Sequence, residues 1–475
     1  MKLFYKFSVA FIIYALLAIP DNKSSIHLPE EVPAVSTKWW GKFAQNLVKY
    51  RITSKENQAY QYNKHRNQLT KHLDQLLLEL TEPDNPILDS ISLNINKLSA
   101  LASLVPGTIH EFEKDVAAWR KLLKYQSRYW GTSSDFANNR LFRFMVESRL
   151  AFESALIQSQ EEKTSLSAPD NSISFHSKTV NNIKFQSGDI IAYSLKVDDD
   201  PYVSFVKELP NMYKHLGSVF INDSVASVIY LDHINGLSIL PIEKFVNERA
   251  PNGIIMRLRS DLPDILRKPA LPSLAASNMY KMALSGSYKY DYHFDSESHE
   301  YIYDWELISL AFDSQGLSID ANSFRRSSSS IHVGKRKSHL TPSEIEFDHR
   351  FIIAGEWYSS DLLYKNRLLT AATAAIIEHQ DKSDFLNPLL LPGYRLLKAY
   401  SMFIGQFGLQ EPIPSGITAQ TQLVFNTLEA KQKKLIVQLK KELLVYEKER
   451  NHKATYLKML QKANEIMNEQ KPGSL

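Results

Sequence analysis

The chain contains no cysteine among its 475 residues. That absence excludes disulfides, thiolate zinc sites, thiol nucleophiles and a lipidated N-terminal cysteine in one step. It leaves the compartment open, because reducing and oxidising locations both tolerate cysteine-free proteins. Charge of one sign is also missing. The 56 basic and 52 acidic residues leave a net charge of +4, and no basic run is long enough to argue for nucleic acid. There is no Walker-type loop, no dinucleotide-binding glycine pattern and no internal repeat, so no cofactor is implied. The chain also lacks an N-terminal apolar run of membrane-spanning length. The run from Phe7 to Ile19 follows Lys2 and Lys6 and stops at Pro20-Asp21-Asn22-Lys23. That is signal-peptide length and short for a span. Residues 1–20 read as a signal peptide or, lacking a clean small-x-small cleavage site, an uncleaved anchor. A buried N-terminal helix is the competing reading. The expected location is exported from a bacterial cytoplasm, periplasmic or secreted.

What is present is globular: 44% hydrophobic and 11% aromatic residues, in a chain long enough for two to four domains. Residues 28–165 show helical spacing in Trp39, Trp40, Phe43, Leu47 and Tyr50. It recurs through Leu73 to Leu80, Ile91 to Val105, His110 to Tyr129 and Asn138 to Gln160. An up-and-down bundle without chemistry of its own is expected. Ser165 to Ser172 reads as a linker. Residues 173–320 then alternate short Val-, Ile- and Tyr-rich runs with turn residues, as an α+β domain would. Residues 321–345 form a Ser/Arg/Lys-rich loop, where Arg325 and Arg326 are weak candidates for an anionic ligand. A helical extension is expected over 346–410. One long amphipathic helix is expected over 418–468, suited to a protein partner or self-association.

The chemistry-bearing residues form an ordered series. Gly188-Asp189-Ile190 opens a strand, and His215-Leu216-Gly217 heads a second. Val228-Ile229-Tyr230 lies on a third, Tyr290-Asp291 and Phe294 follow, and Tyr303-Asp304-Trp305-Glu306-Leu307 begins a helix. The series resembles the circularly permuted NlpC-type hydrolases, the YiiX/YebB-like group related to lecithin retinol acyltransferases. It covers residues 186 to about 312. The resemblance implies a papain-like fold in which a cysteine at a helix start attacks amide or ester bonds of peptidoglycan peptides or lipids. A histidine acts as base and a polar residue orients it. His215, Asp304 and Tyr230 stand at the positions of base, nucleophile and orienting residue. Gly188, Asp189, Tyr290, Asp291, Trp305 and Glu306 are the binding candidates.

Three departures set the functional expectation. Asp304 replaces the nucleophile, Trp305 replaces a small neighbour, and Tyr230 stands where an acid is common. A carboxylate at a helix start serves as an N-cap and pairs with an imidazole, but it cannot form a thioester. The expected protein therefore binds or scaffolds, through a cell-envelope peptide or lipid ligand, with no catalysis. The alternative keeps a hydrolase using His215 with a metal or another nucleophile. For that reading His293, Asp295, His299 and Glu300 are candidate ligands, and Ser285, Ser287 and Ser309 are the nearest hydroxyls, none on a nucleophile elbow. His233 reads as a turn residue.

Overall fold

In a computed structural model of the chain, the described residues are 14–19, 26–27, 37–130, 134–159, 161–167, 176–195, 213–223, 225–233, 235–286, 288–291, 301–319, 332–333, 342–379, 385, 387–407, 411–414 and 417–469. Five helices come first: α1 (Thr37–Arg51), α2 (Lys55–Leu78), α3 (Pro86–Ala102), α4 (Ile109–Ser127) and α5 (Asp135–Gln158). Their starts are chemically marked. Ser54, Asn85 and Ser134 each accept a backbone N–H at a helix N-terminus, and Pro86 follows Asn85 in the first turn. Their apolar faces share one core, which holds Trp39, Phe43, Ile95, Trp119 and Phe144.

A seven-stranded antiparallel sheet follows. Its strands are β1 (Lys163–Ser167), β4 (Ile190–Ser194), β5 (His215–Asn222), β6 (Val225–Asp232), β7 (Gly236–Pro241), β8 (Asn252–Leu258) and β11 (Phe351–Ser359), in the order β1-β11-β8-β4-β5-β6-β7. Between β1 and β4 lies a separate hairpin, β2 (Ser177–Val180) with β3 (Ile183–Gln186). A short parallel pair, β9 (Lys289–Tyr290) with β10 (Tyr301–Ile302), sits between α6 (Leu271–Ser285) and α7 (Asp304–Asp313).

The period of two sorts side chains cleanly. Ile190, Ala192, Leu216, Ile229, Ile254 and Met256 bury against α6 and α7. Ile191, Tyr193, Val219, Val228, Tyr230 and Ile255 bury on the opposite face with Phe245 and the β2–β3 hairpin.

The remaining helices are α8 (Ser360–His379), α9 (Leu391–Gly405), α10 (Ala419–Arg450) and α11 (Tyr456–Glu469). Three differences from the sequence reading stand out. Ser165 to Ser167 belong to edge strand β1, because their backbone pairs with Gly355 to Trp357. Phe351 to Ser359, inside the expected helical extension over 346–410, are strand, and the helix starts at Ser360. The long C-terminal helix is two helices, since Asn451 takes a left-handed φ of +52° at the end of α10 and the chain turns back. Leu428, Leu435 and Leu439 of α10 then pack with Met459 and Ala463 of α11 and Ala371 and Ala375 of α8.

Bundle and sheet are tied by buried charge. Arg120 of α4 reaches Glu346 at 2.7 Å and Glu356 of β11 at 2.5 Å, and Arg149 of α5 reaches Glu346 at 2.8 Å. Tyr358 donates to Glu356 at 2.6 Å, while Lys124 donates to the carbonyls of Glu346 and Asp348 at 2.6 and 2.9 Å. Ions so enclosed are stable only as a complete set.

Arg120→Met leaves buried Glu356 without its cation and Glu346 with Arg149 alone, and should cost about 3–5 kcal/mol. Arg66→Met breaks a half-exposed pair with Asp115 and should cost about 1 kcal/mol or less. Equal losses in denaturant unfolding would contradict the enclosed network.

Beside this network Glu113 is pushed up to about 8, by burial first and by Glu356 second. A carboxyl raised in the fold contributes stability at low pH that is lost as pH rises through about 8. The Glu113→Gln protein should therefore gain on the wild type between about pH 5 and about pH 9. Lys124, pushed down to about 7 by burial, has the opposite sign but is common to both proteins. A variant-minus-wild-type difference that is flat with pH would refute the assignment.

Candidate functional site

β5 begins at His215 and α7 begins at Asp304, and the two meet at one end of the sheet. The run Leu216, Ser218 and Phe220 alternates with His215, Gly217 and Val219, so the imidazole shares a face with Val219 and the facing Tyr193. Asp304 enters from the other chain segment. Tyr303 holds the cap position with extended dihedrals of −112° and 167° and makes no side-chain cap bond. Asp304 is thus the first helical residue instead of the cap itself, because Tyr303 continues the extended course of β10. The carboxylate still lies where the helix macrodipole favours negative charge.

His215 Nδ1 and Asp304 Oδ2 are 3.5 Å apart, with side chains only 4% and 3% exposed. That separation is an ion-pair distance when the imidazole is protonated, and is longer than the roughly 2.7–2.9 Å of a short charge-assisted hydrogen bond. Burial makes the contact consequential, since an ionised group shut from water needs a counter-charge.

The surroundings are aromatic. Tyr193, opposite His215 across the strands, stacks on the imidazole with ring centroids 5.3 Å apart, and Phe245 meets Tyr193 edge-on at 4.9 Å. Burial drives the Tyr193 phenol well above its ordinary range, and the Asp304 charge adds to the shift. Tyr193 therefore stays neutral and closes the site.

Tyr230 lies on the same face but sits opposite Gly217 instead of His215. Carrying the register two residues further sets Asp232 across from His215. Asp232 is buried and bonds Arg249 at 2.5 Å and the Asn235 amide at 2.9 Å. The Arg249 guanidinium in turn lies 4.6 Å over the Tyr230 ring. Tyr193, Asp232 and Arg249 went unnoticed in the sequence. The readable signal was that Asp232 follows Tyr230 by two residues and so shares its face.

The binding candidates divide by role. Gly188 has a φ of +93°, and a Cβ there would lie 2.4 Å from Pro272, so only glycine fits. Asp189 is buried, holds Arg257 through two bonds of 2.7 and 2.8 Å, and accepts the Gln186 amide at 2.7 Å. These residues lock the turn before β4 onto β5 and do structural service.

Tyr290 and Asp291 are buried beside β10, with the Asp291 amide donating to Ile302 at 2.8 Å. Burial raises the Tyr303 phenol, and Glu306 and Asp291 add to the rise, so these three groups share one electrostatic neighbourhood. Trp305 is buried in the apolar layer with Leu307 and Ile308.

Ser285 donates to Met282 and Ser309 to Asp313, both local contacts on their own helices. Ser287, His293, Phe294, Asp295, His299, Glu300, Arg325 and Arg326 lie outside the described residues. Among the described residues no group of three or more His, Asp or Glu side chains is placed to hold a metal ion.

Chemically, the pair can hold a proton between imidazole and carboxylate. It presents no thiol, and both groups are shielded from water. In a double-mutant cycle, His215→Ala and Asp304→Ala should each destabilise the fold and couple by about 0.5–3 kcal/mol. Strict additivity in denaturant unfolding would remove the contact. No family model, curated protein or solved structure matches the chain.

Proposed function

We propose that the central region is a permuted NlpC-type, papain-like hydrolase domain whose catalysis has been lost. It serves an exported bacterial protein as a binding or scaffolding module of the cell envelope. One observation carries this reading. His215 at the head of β5 and Asp304 in the first turn of α7 come from distant stretches of chain, yet lie 3.5 Å apart. Strand-borne base and helix-borne nucleophile stand in that relation in the hydrolases that the sequence resembles.

The chemistry favours loss. Acyl transfer in these hydrolases passes through a thioester, and with no cysteine none can form. An aspartate attacking an amide would instead form an anhydride, a poor intermediate. The near-complete burial of both groups also leaves a substrate carbonyl no approach to Asp304 in this conformation. Ligand capture would then fall to the surface beside Glu306, the one partly exposed member of the group it forms with buried Tyr303 and Asp291. Candidate ligands are peptidoglycan-type peptides or lipids.

The test is an activity assay of the whole protein on muropeptides and lipid esters. No turnover above a boiled control is expected. Turnover abolished by Asp304→Ala would overturn the reading and favour a carboxylate-dependent hydrolase. Asp304→Cys supplies a second measurement. The introduced thiol should ionise at lower pH beside His215 than in a His215→Ala background, read from thiolate absorbance. Equal ionisation in the two backgrounds would mean that the relation between base and nucleophile is not that of the hydrolases.

A further inference from the structure

α9 is built inside out. Its polar side chains face the fold: the Tyr394 hydroxyl accepts from Asn426 at 2.9 Å, Lys398 donates to the Pro414 carbonyl at 2.5 Å, and Ser401 accepts from the Ile413 amide at 3.0 Å. Its apolar side chains face outward. Leu389, Leu396, Tyr400, Phe403 and Phe407 recur at helical spacing along one exposed stripe, widened by Met402. Phe403 and Phe407 are 59% and 67% exposed, with rings 5.2 Å apart. An amphipathic helix normally buries that stripe, so on this helix the apolar face awaits a cover.

Two further observations say what covers it. First, the chain from Phe385 to Gln410 has no aspartate or glutamate, and its charged residues are Arg395 and Lys398; the next acid, Glu411, packs against Gly405 and lies beside the inward-facing Lys398. Second, the N-terminal apolar run ends on this helix. Arg395 donates to the Ile19 carbonyl at 2.8 Å and the Tyr14 hydroxyl bonds the Leu389 carbonyl. Leu16 and Ile19 are themselves exposed. Residues 1–20 likewise lack any acid and carry Lys2 and Lys6. Two apolar segments far apart in sequence, residues 14–19 and α9, thus converge on one outward surface.

We propose that this surface docks on an anionic lipid bilayer, with α9 lying in the interface beside residues 14–19. None of the described helices is long and apolar enough to cross a membrane, so the geometry is that of a helix lying in the interfacial plane. Its aromatics reach the acyl boundary, and Arg395, whose guanidinium lies at the exposed edge beside Ile19, complements acidic headgroups. The inference stands independently of whether the His215–Asp304 site is catalytic.

The test uses the full chain and vesicles of phosphatidylcholine with or without phosphatidylglycerol. Flotation should be stronger with phosphatidylglycerol. Phe403→Glu/Phe407→Glu should weaken it at least about tenfold while thermal stability stays unchanged, since both side chains already face solvent. Equal flotation of the double variant would overturn the proposal and leave the N-terminal run as sole anchor. Loss of a dimer in the variant, with no vesicle binding by the wild type, would overturn it in favour of a second copy.

The absence of native cysteine gives a direct second readout. An environment-sensitive dye on Phe407→Cys should shift to the blue with anionic vesicles, and the same dye on Val437→Cys of α10 should not. A silent dye at position 407 would contradict docking.

Discussion

An imidazole and a carboxylate can share a buried site only because each offsets the cost of charging the other. His215 and Asp304 occupy such a site where the sheet meets α7, and much of the central region is arranged around them. Tyr193 covers the imidazole, and Asp232, which the strand register sets opposite His215, is held by Arg249. The helix start supplies a field that suits a carboxylate and would equally have suited a thiolate. On the proposed reading, a carboxyl group in place of sulfur would keep the electrostatics and remove the nucleophile.

The same logic of complete enclosure works at larger scale between bundle and sheet. Arg120 and Arg149 enter from helices, while Glu346 and Glu356 enter from the chain around β11. The sheet takes its outer strands from both sides of the central region, β1 before it and β11 after it. The helical N-terminal region is therefore not a bead on a string. Phe347, Tyr358 and Leu363 belong to its core, so the bundle is completed by residues far along the chain.

What the sequence made legible follows from how local each signal is. Helices α1 to α5 announce themselves by the helical spacing of their apolar residues. His215 and Asp304 were singled out because residue type and order survive without coordinates. Trp357 misled, because an aromatic strand that runs straight into a helix shows one apolar stretch with no turn residue at Ser359-Ser360. Asn451 was missed as a break because a single left-handed residue leaves the apolar stripe of α10 and α11 almost in phase. The ionic network was invisible for a different reason. Arg120 and Glu346 look like any surface charges until a sheet closes over them. Tyr193 and Asp232 required the strand register, which no single segment reveals. The inverted face of α9 was likewise hidden, since apolar spacing alone does not say which side meets the fold.

The central claim is that the site at β5 and α7 is sealed from solvent around the His215–Asp304 contact. Diethylpyrocarbonate modification read residue by residue by mass spectrometry tests it directly, because reaction requires an accessible imidazole. His110, whose side chain is 54% exposed, should react readily in the native protein, whereas His215 should stay protected until the fold is denatured. Modification of His215 at the rate of His110 under native conditions would contradict the account.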